Sequence, residues 1–281
     1  MEPQATVKLK CSVRGCGRAL APGSMSYACL AGHSFDLAKS GYLNLLQVLD
    51  RRSSQPGDSA EVVAARRRWM KSGRSALLGE ALLAEAQRLA IGPAARVLDV
   101  GCGEGSLLGE LQSALGCEAW GIDISRPAIE AAARRWPAAR WIVCNADLGL
   151  PFADKSFDLV LSITSRRNAP EFTRVLAPGG ALLFVVPAED DQRELRELLH
   201  GEAYAVDRLP GLESAMGAGL RLEKSWRLAW VNRLDREAFG DLLATAYRGV
   251  RDSQRARLEQ REVLEVTSSY QLALFRARES A

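Results

Sequence analysis

From about residue 97 onward, short apolar runs alternate with stretches whose apolar positions recur every three or four residues. The runs at 97–100, 118–122, 141–144, 157–162 and 181–186 are bounded by Gly, Asp or Pro and read as buried strands. Between them the helical spacing predicts helices over 105–115 and 127–135 and a short one from about 170 to 175. Strands and helices alternating at this length imply an α/β fold with a doubly wound, mainly parallel sheet. Upstream, Asp58 or Ser59 caps a helix that carries Arg66-Arg67-Arg68-Trp69 and ends near Gly73, and a second amphipathic helix covers roughly 76–89. Downstream, the pattern predicts a charged helix over 190–199 and a Gly-rich loop over 211–219. A strand over 223–232, a helix over 235–245 and a last strand over 268–276 follow.

The first fifty residues follow neither period. They hold three of the six cysteines, and Cys11, Cys16, Cys29 and His33 fall in the spacing Cys-x4-Cys-x12-Cys-x3-His. Three thiolates and an imidazole form a closed tetrahedral set for structural Zn2+. So short a segment cannot fold on apolar burial alone, so the metal would supply much of its stability. The polar run 51–59 reads as a linker or mobile loop.

Composition alters this picture in one respect. With 47% hydrophobic and 25% charged residues the chain is ordinary for a globular protein. It has no apolar stretch long enough to span a membrane and no signal-like start, so a cytoplasmic location is the expectation. The charge is uneven, however: residues 1–75 hold 12 Lys/Arg against 5 Asp/Glu, and the remainder 25 against 29. A basic front segment is suited to a polyanion.

The candidate chemistry centres on Val97-Leu-Asp99-Val-Gly101-Cys-Gly103-Glu104-Gly105. A strand running into three alternating glycines is a turn that lets a ligand approach the backbone. A P-loop would need Gly-Lys-Ser/Thr at its end, and none follows. A pyrophosphate would be repelled by Glu104, whereas a cationic sulfonium would not. Asp123 ends the next strand, where a ribose-binding acid belongs.

These pieces, with Asn145-Ala-Asp147, Leu150-Pro-Phe-Ala-Asp-Lys-Ser-Phe-Asp158 and Arg174-Val-Leu-Ala-Pro-Gly-Gly180, resemble the class I, Rossmann-like S-adenosylmethionine methyltransferases over residues 95–187. The resemblance implies that Gly101, Gly103 and Glu104 line the methionine part of S-adenosylmethionine, with Asp99 and Gly105 among the residues that bind the cofactor. It also implies that Asp123 holds the ribose and that Asp147 lies beside the adenine. Thr164-Ser-Arg-Arg-Asn168 follows the fourth strand, where such enzymes place substrate-facing residues, and lacks the Asn/Asp-Pro-Pro-Tyr/Phe pattern of adenine-N6 enzymes. Cys102, Cys117 and Cys144 read as small buried hydrophobes.

Adding the zinc ligands, Gly41-Tyr-Leu-Asn-Leu-Leu46, Pro56-Gly-Asp-Ser-Ala-Glu61 and Ala65-Arg-Arg67 narrows the resemblance. The whole is similar to the bacterial 23S rRNA guanine-N1 methyltransferases that modify the loop of hairpin 35, some of which confer resistance to macrolides such as tylosin. It implies a zinc-binding RNA-recognition module over 1–46, a basic linker and helix over 47–75 and a methyltransferase domain over 76–281. Arg51, Arg52, Arg66 and Arg67 would meet phosphates of a 23S rRNA hairpin, and a homodimer would let two zinc modules flank one RNA. Guanine N1 carries a proton at neutral pH; Asp147 is the candidate acceptor, with Arg167 and Asn168 positioning the base. The chain departs from that family's usual pattern at Ser75, where an aromatic residue is common, and at Asp191, near a common His; both positions belong to the family's cofactor pocket. A small-molecule methyltransferase and a non-catalytic RNA-binding module that keeps the cofactor fold are the alternatives.

Overall fold

Val97, Leu98 and Val100 are all fully buried, as are Leu159, Val160 and Leu161. Strands apolar on both sides need cover on both faces, which is the signature of a parallel sheet wrapped by helices. The computed structural model has that sheet, and it describes residues 7–50, 53–165, 167–201, 205–217, 219–246 and 263–278.

In chain order the strands are β1 (Leu20–Pro22), β2 (Ser26–Cys29), β3 (Ser34–Asp36) and β4 (Leu43–Asn44), then β5 (Arg96–Val100), β6 (Glu118–Asp123) and β7 (Arg140–Val143). β8 (Phe157–Ile163), β9 (Leu176–Pro187), β10 (Leu220–Leu234) and β11 (Leu264–Ala277) complete the set. The helices are α1 (Ala60–Lys71), α2 (Ala76–Arg88), α3 (Ser106–Leu115) and α4 (Arg126–Arg135), followed by α5 (Ala169–Val175), α6 (Arg193–His200), α7 (Leu209–Met216) and α8 (Arg236–Ala246).

The main sheet has the order β10-β11-β9-β8-β5-β6-β7-β4. From β9 to β4 neighbouring strands are parallel; β11 and β10 are added antiparallel at the other edge. The chain leaves β5 in one direction for β6 and β7, then crosses to β8 on the other side. The carboxyl ends of β5 and β8 therefore flank the point where the winding reverses, where open α/β sheets bind ligands.

Two cores cover the sheet. On one face Leu98, Val100, Trp120 and Ile122 meet Phe172 and Val175 of α5 and Leu212 and Met216 of α7. On the other, Val97, Ala119 and Trp141 meet Leu78 and Leu82 of α2, Leu108 of α3 and Ile129 of α4. A third cluster joins Leu195 of α6 to Phe239 and Leu242 of α8, with Trp69 of α1 packed against it.

The cysteine-rich segment forms its own three-stranded sheet, β1-β2-β3. It shares the first core: Val7, Leu9 and Phe35 pack in the same cluster as Trp120 and Phe152. Leu9 bridges Phe152, and the Phe152 ring stands edge-on to Trp120 and Phe157, with centroids 5.6 and 4.9 Å away.

Four differences from the sequence pattern have physical causes. Residues 43–44 join the main sheet beside β7; two residues are too few to show a period. The expected Gly-rich loop at 211–219 is mostly α7, started by Pro210 and held by Leu212 and Met216, which lie four apart on its buried side. The described part of the expected linker is docked: Ser125 Oγ donates to the Asp58 carbonyl at 2.7 Å, and a Cβ on Gly57 would lie 2.7 Å from Ser125 Cβ. Strands β10 and β11 extend beyond 223–232 and 268–276 because they pair with each other along almost their whole length.

Candidate active site and zinc centre

Cys11, Cys16, Cys29 and His33 bring one ligand atom each to within 4.8 Å of one another. Cys11 Sγ and Cys29 Sγ lie 3.4 and 3.5 Å from His33 Nδ1, and the Cys16 and Cys29 sulfurs are 3.9 Å apart. A tetrahedron with zinc bond lengths has edges of about 3.6–3.8 Å, so the donor set fits Zn2+. The β2–β3 turn delivers Cys29 and His33 together, closed by the Cys29 N–H to the His33 carbonyl at 3.0 Å. The longer gap in the first pair is taken up by a turn in which the Cys16 N–H donates to Val13 O and Gly15 adopts φ 77°.

At the reversal point of the sheet lies a cavity of about 350 Å³. One wall is the glycine loop. Gly101, Gly103 and Gly105 all have positive φ (79°, 56° and 81°), and a Cβ on Gly105 would come within 2.5 Å of the Trp141 ring. Asp123 at the end of β6 organises this wall, accepting the Gly103 N–H at 2.9 Å and the Ser125 N–H at 2.8 Å. Burial lifts its carboxyl above the usual range, and those backbone donors oppose the rise. Asp99, 2% exposed, keeps Oδ1 without a hydrogen-bond partner among the described residues; burial, with Asp123 nearby, pushes its carboxyl up to about 7. Glu104 is buried, accepts the Ser106 N–H at 3.3 Å and lies 3.9 Å from Arg135. Backbone that only glycine can supply, a buried carboxylate oxygen in want of a donor and further acids close by fit a cationic ligand such as S-adenosylmethionine.

The opposite side of the cavity is lined by Thr164, Pro187, Asp191, Gln192, Ser268 and Tyr270, and α1 closes it with Arg66, Trp69 and Met70. Ser75 lines it too, its hydroxyl accepting the Trp69 indole N–H at 3.0 Å, so Trp69 brings an aromatic ring to the place where Ser75 lacks one. Arg66, expected on phosphates, turns inward: it pairs with Asp58 at 3.1 Å and its Nε is buried without a partner among the described residues. Asp147 is exposed and, like Arg167 and Asn168, is not among the cavity-lining residues. Asn168 Nδ2 donates to Ala146 O at 2.7 Å, tying the segment after β8 to the one after β7. Arg51 and Arg52 lie outside the described residues.

The outer side of α1 forms a basic groove against α4, lined by Arg67, Arg68, Lys71, Arg134 and Arg135 with Glu130 as the single acid. Arg68 is committed there, its Nε 3.1 Å from both oxygens of the buried Asp241. Cys102, Cys117 and Cys144 are free thiols that burial pushes up, which fits packing rather than nucleophilic use. Sequence reasoning passed over Ser268 and Tyr270, whose only signal is their place in a strand that other strands must position.

Comparison with known proteins agrees with this geometry. Residues 97–180 match the methyltransferase-domain family, and residues 10–54 match the zinc-ribbon family described as RlmA, N-terminal. A 23S rRNA (guanine(748)-N(1))-methyltransferase of Streptomyces fradiae is 34% identical over 238 residues, covering 82% of this chain and 81% of that protein. A Micromonospora griseorubida protein, provisionally named for the same kind of reaction, is 36% identical over 220 residues, covering 71% of this chain and 72% of its own. Among solved structures, the YcgJ protein of Bacillus subtilis shares the fold, with a TM-score of 0.51 at 16% identity over 72% of this chain and 98% of that one.

Proposed function

The chain belongs to the 23S rRNA (guanine-N1)-methyltransferase family, and on that premise we propose that it transfers the methyl group of S-adenosylmethionine to N1 of a guanine in a 23S rRNA hairpin loop. The bound cofactor supplies an electrophilic methyl on a sulfonium. The chain's own part is to hold, orient and shield. In this reading Asp123 accepts the ribose hydroxyls, the loop Gly101–Gly105 with Asp99 and Glu104 receives the methionine end, and Asp147 borders the adenine. Arg167 and Asn168, on the segment after β8, guide the acceptor base. In-line transfer to nitrogen needs little beyond alignment and exclusion of water, which a half-enclosed cavity provides.

The observation that carries the proposal is the double service of α1. Its inner side closes the cavity with Arg66, Trp69 and Met70, and its outer side offers Arg67 and Lys71 to the basic groove. A polyanion following that groove comes within one helix diameter of the methyl donor's cavity. The zinc knuckle, anchored through Leu9 and Phe152, adds a second rigid contact for a loop whose base must leave its stack. The hairpin as target, two copies flanking it, action on ribosomal RNA in the cytoplasm and a contribution to macrolide resistance rest on the resemblance of the motif set to that family.

Primer extension on 23S rRNA from cells with and without the protein tests the reading. N1 methylation blocks Watson–Crick pairing, so a reverse-transcriptase stop in the hairpin 35 loop should appear only with the protein. Identical extension in both cells would refute the rRNA assignment.

A further inference from the structure

The cavity at the reversal point is unbalanced in charge. Asp99, Glu104 and Asp191 line it, and Asp123 is bonded to the Gly103 N–H of its glycine wall. Against these acids, Arg66 of α1 is the single Lys, Arg or His among the described lining residues. The methionine end of S-adenosylmethionine carries two positive groups, the sulfonium and the α-ammonium, and one negative group, the α-carboxylate. The acids suit the first two. A carboxylate brought in among them needs a cation, and Arg66 is the one the lining supplies.

Arg66 lies where α1 crosses the glycine loop. A Cβ built on Gly103 would lie 3.6 Å from Arg66 Cδ and 4.0 Å from its Nε, so the base of the guanidinium rests on the loop itself. One end of the group is held: Nη2 donates to Asp58 Oδ2 at 3.1 Å, just ahead of α1. The Nε–H is buried with no acceptor among the described residues. A buried charged donor without an acceptor destabilises the fold until a ligand supplies one. Two of the nearby acids accept backbone N–H groups instead, Asp123 those of Gly103 and Ser125 and Glu104 that of Ser106. Burial raises the Asp123 carboxyl, and burial with Asp191 raises the Tyr270 hydroxyl; the Arg66 charge opposes both rises. That charge therefore acts across the cavity, from the end of β6 to β11.

We propose that Arg66 binds the α-carboxylate of the cofactor's methionine end, its Nε–H donating to a carboxylate oxygen while Asp58 steadies the guanidinium. This rests on S-adenosylmethionine as the methyl donor and is independent of which RNA atom accepts the methyl. The charge-assisted hydrogen bond satisfies the buried donor and neutralises the one negative group that the acidic cavity would otherwise repel. The contact also selects among sulfonium nucleosides. One that lacks the carboxylate leaves Nε without its acceptor and sets its positive groups beside an uncompensated guanidinium.

Calorimetric titration of the full-length zinc-loaded protein tests the contact with two ligands, S-adenosylmethionine and its decarboxylated form. The latter keeps the adenosine, the sulfonium and the amine and lacks only the carboxylate. Wild type should bind S-adenosylmethionine about 10–100-fold more tightly than the decarboxylated form. Arg66→Gln should lose about 10–100-fold in affinity for S-adenosylmethionine, and as much for S-adenosylhomocysteine, which keeps the carboxylate. Its affinity for the decarboxylated form should fall by less than about threefold. Arg66→Lys should recover part of the preference for the carboxylate, which a packing role would not produce. Equal losses for both ligands in Arg66→Gln would show that Arg66 only seats α1 and would overturn the proposal. A wild-type protein that binds the two forms alike overturns it as well, and that result needs no variant to fold. Binding of neither form nor of S-adenosylhomocysteine to wild type would instead refute S-adenosylmethionine as the donor.

Discussion

The proposed donor wall of the cavity and the wall that faces it are built in opposite ways. The donor wall comes from nine consecutive residues, 97–105, plus one acid at the end of the next strand, and backbone N–H groups bonded to Asp123 set its shape. The facing wall is assembled from residues 187–192 and 268–270, distant in sequence, and exists because β11 pairs antiparallel with β9 so that Tyr270 stands opposite Pro187. The donor wall is thus a local turn, and the facing wall is a product of tertiary register.

The zinc knuckle offers the sharpest way to separate acceptor recognition from donor binding. Replacing Cys16 by Ser removes one of four ligands from a segment with little core of its own, so β1–β3 should lose their fold. Methylation of a hairpin transcript should fall by more than about 10³-fold, while S-adenosylmethionine affinity measured by calorimetry should change by less than about fivefold, because the donor wall draws no residue from the knuckle. Equal loss of both would show that the two regions fold as one.

Asp123→Ala attacks the donor wall. It removes an acceptor for the ribose and for the Gly103 and Ser125 N–H groups, so cofactor affinity should weaken by about 10²–10³-fold. Transcript binding by filter retention should be nearly unchanged.

Asp99→Asn probes what the donor wall costs the fold. A carboxyl raised to about 7 in the folded state contributes stability that is fully present below its unfolded value and is lost as pH rises through 7. The amide variant should therefore be more stable than wild type at pH 8.5 by an amount on the order of 2–4 kcal/mol, and the gain should shrink as pH falls and vanish only below about pH 4, the carboxyl's unfolded value. Its cofactor affinity should drop, since the buried oxygen with no partner among the described residues is what a cationic ligand would satisfy. A melting gain independent of pH would contradict the assignment of strain to that carboxylate.

The same contrast explains what was legible in the sequence. Cys11, Cys16, Cys29 and His33 lie within 23 residues, and the glycine loop within nine, so spacing alone exposed both. The parallel sheet followed from runs such as Leu159–Leu161 that are apolar on both faces. β4 stayed hidden because two residues carry no period, and α7 because its glycines outweighed the Leu212–Met216 spacing in a local reading. Arg66 and Arg67 are adjacent, yet a helix turns them to different sides, one into the cavity and one into the basic groove. Asp147 is conspicuous in its motif but exposed, whereas Asp191, read within a charged helix, lies on the link before α6, where its carboxylate accepts the Ser269 N–H of β11.

The central claim is that this cavity places a methyl group on guanine N1. Incubating the zinc-loaded protein with isotope-labelled S-adenosylmethionine and a hairpin 35 transcript, then digesting to nucleosides for mass spectrometry, tests it directly. The account predicts label in 1-methylguanosine. Label at N2 or N7 of guanine, in another base, or nowhere in the RNA would contradict it.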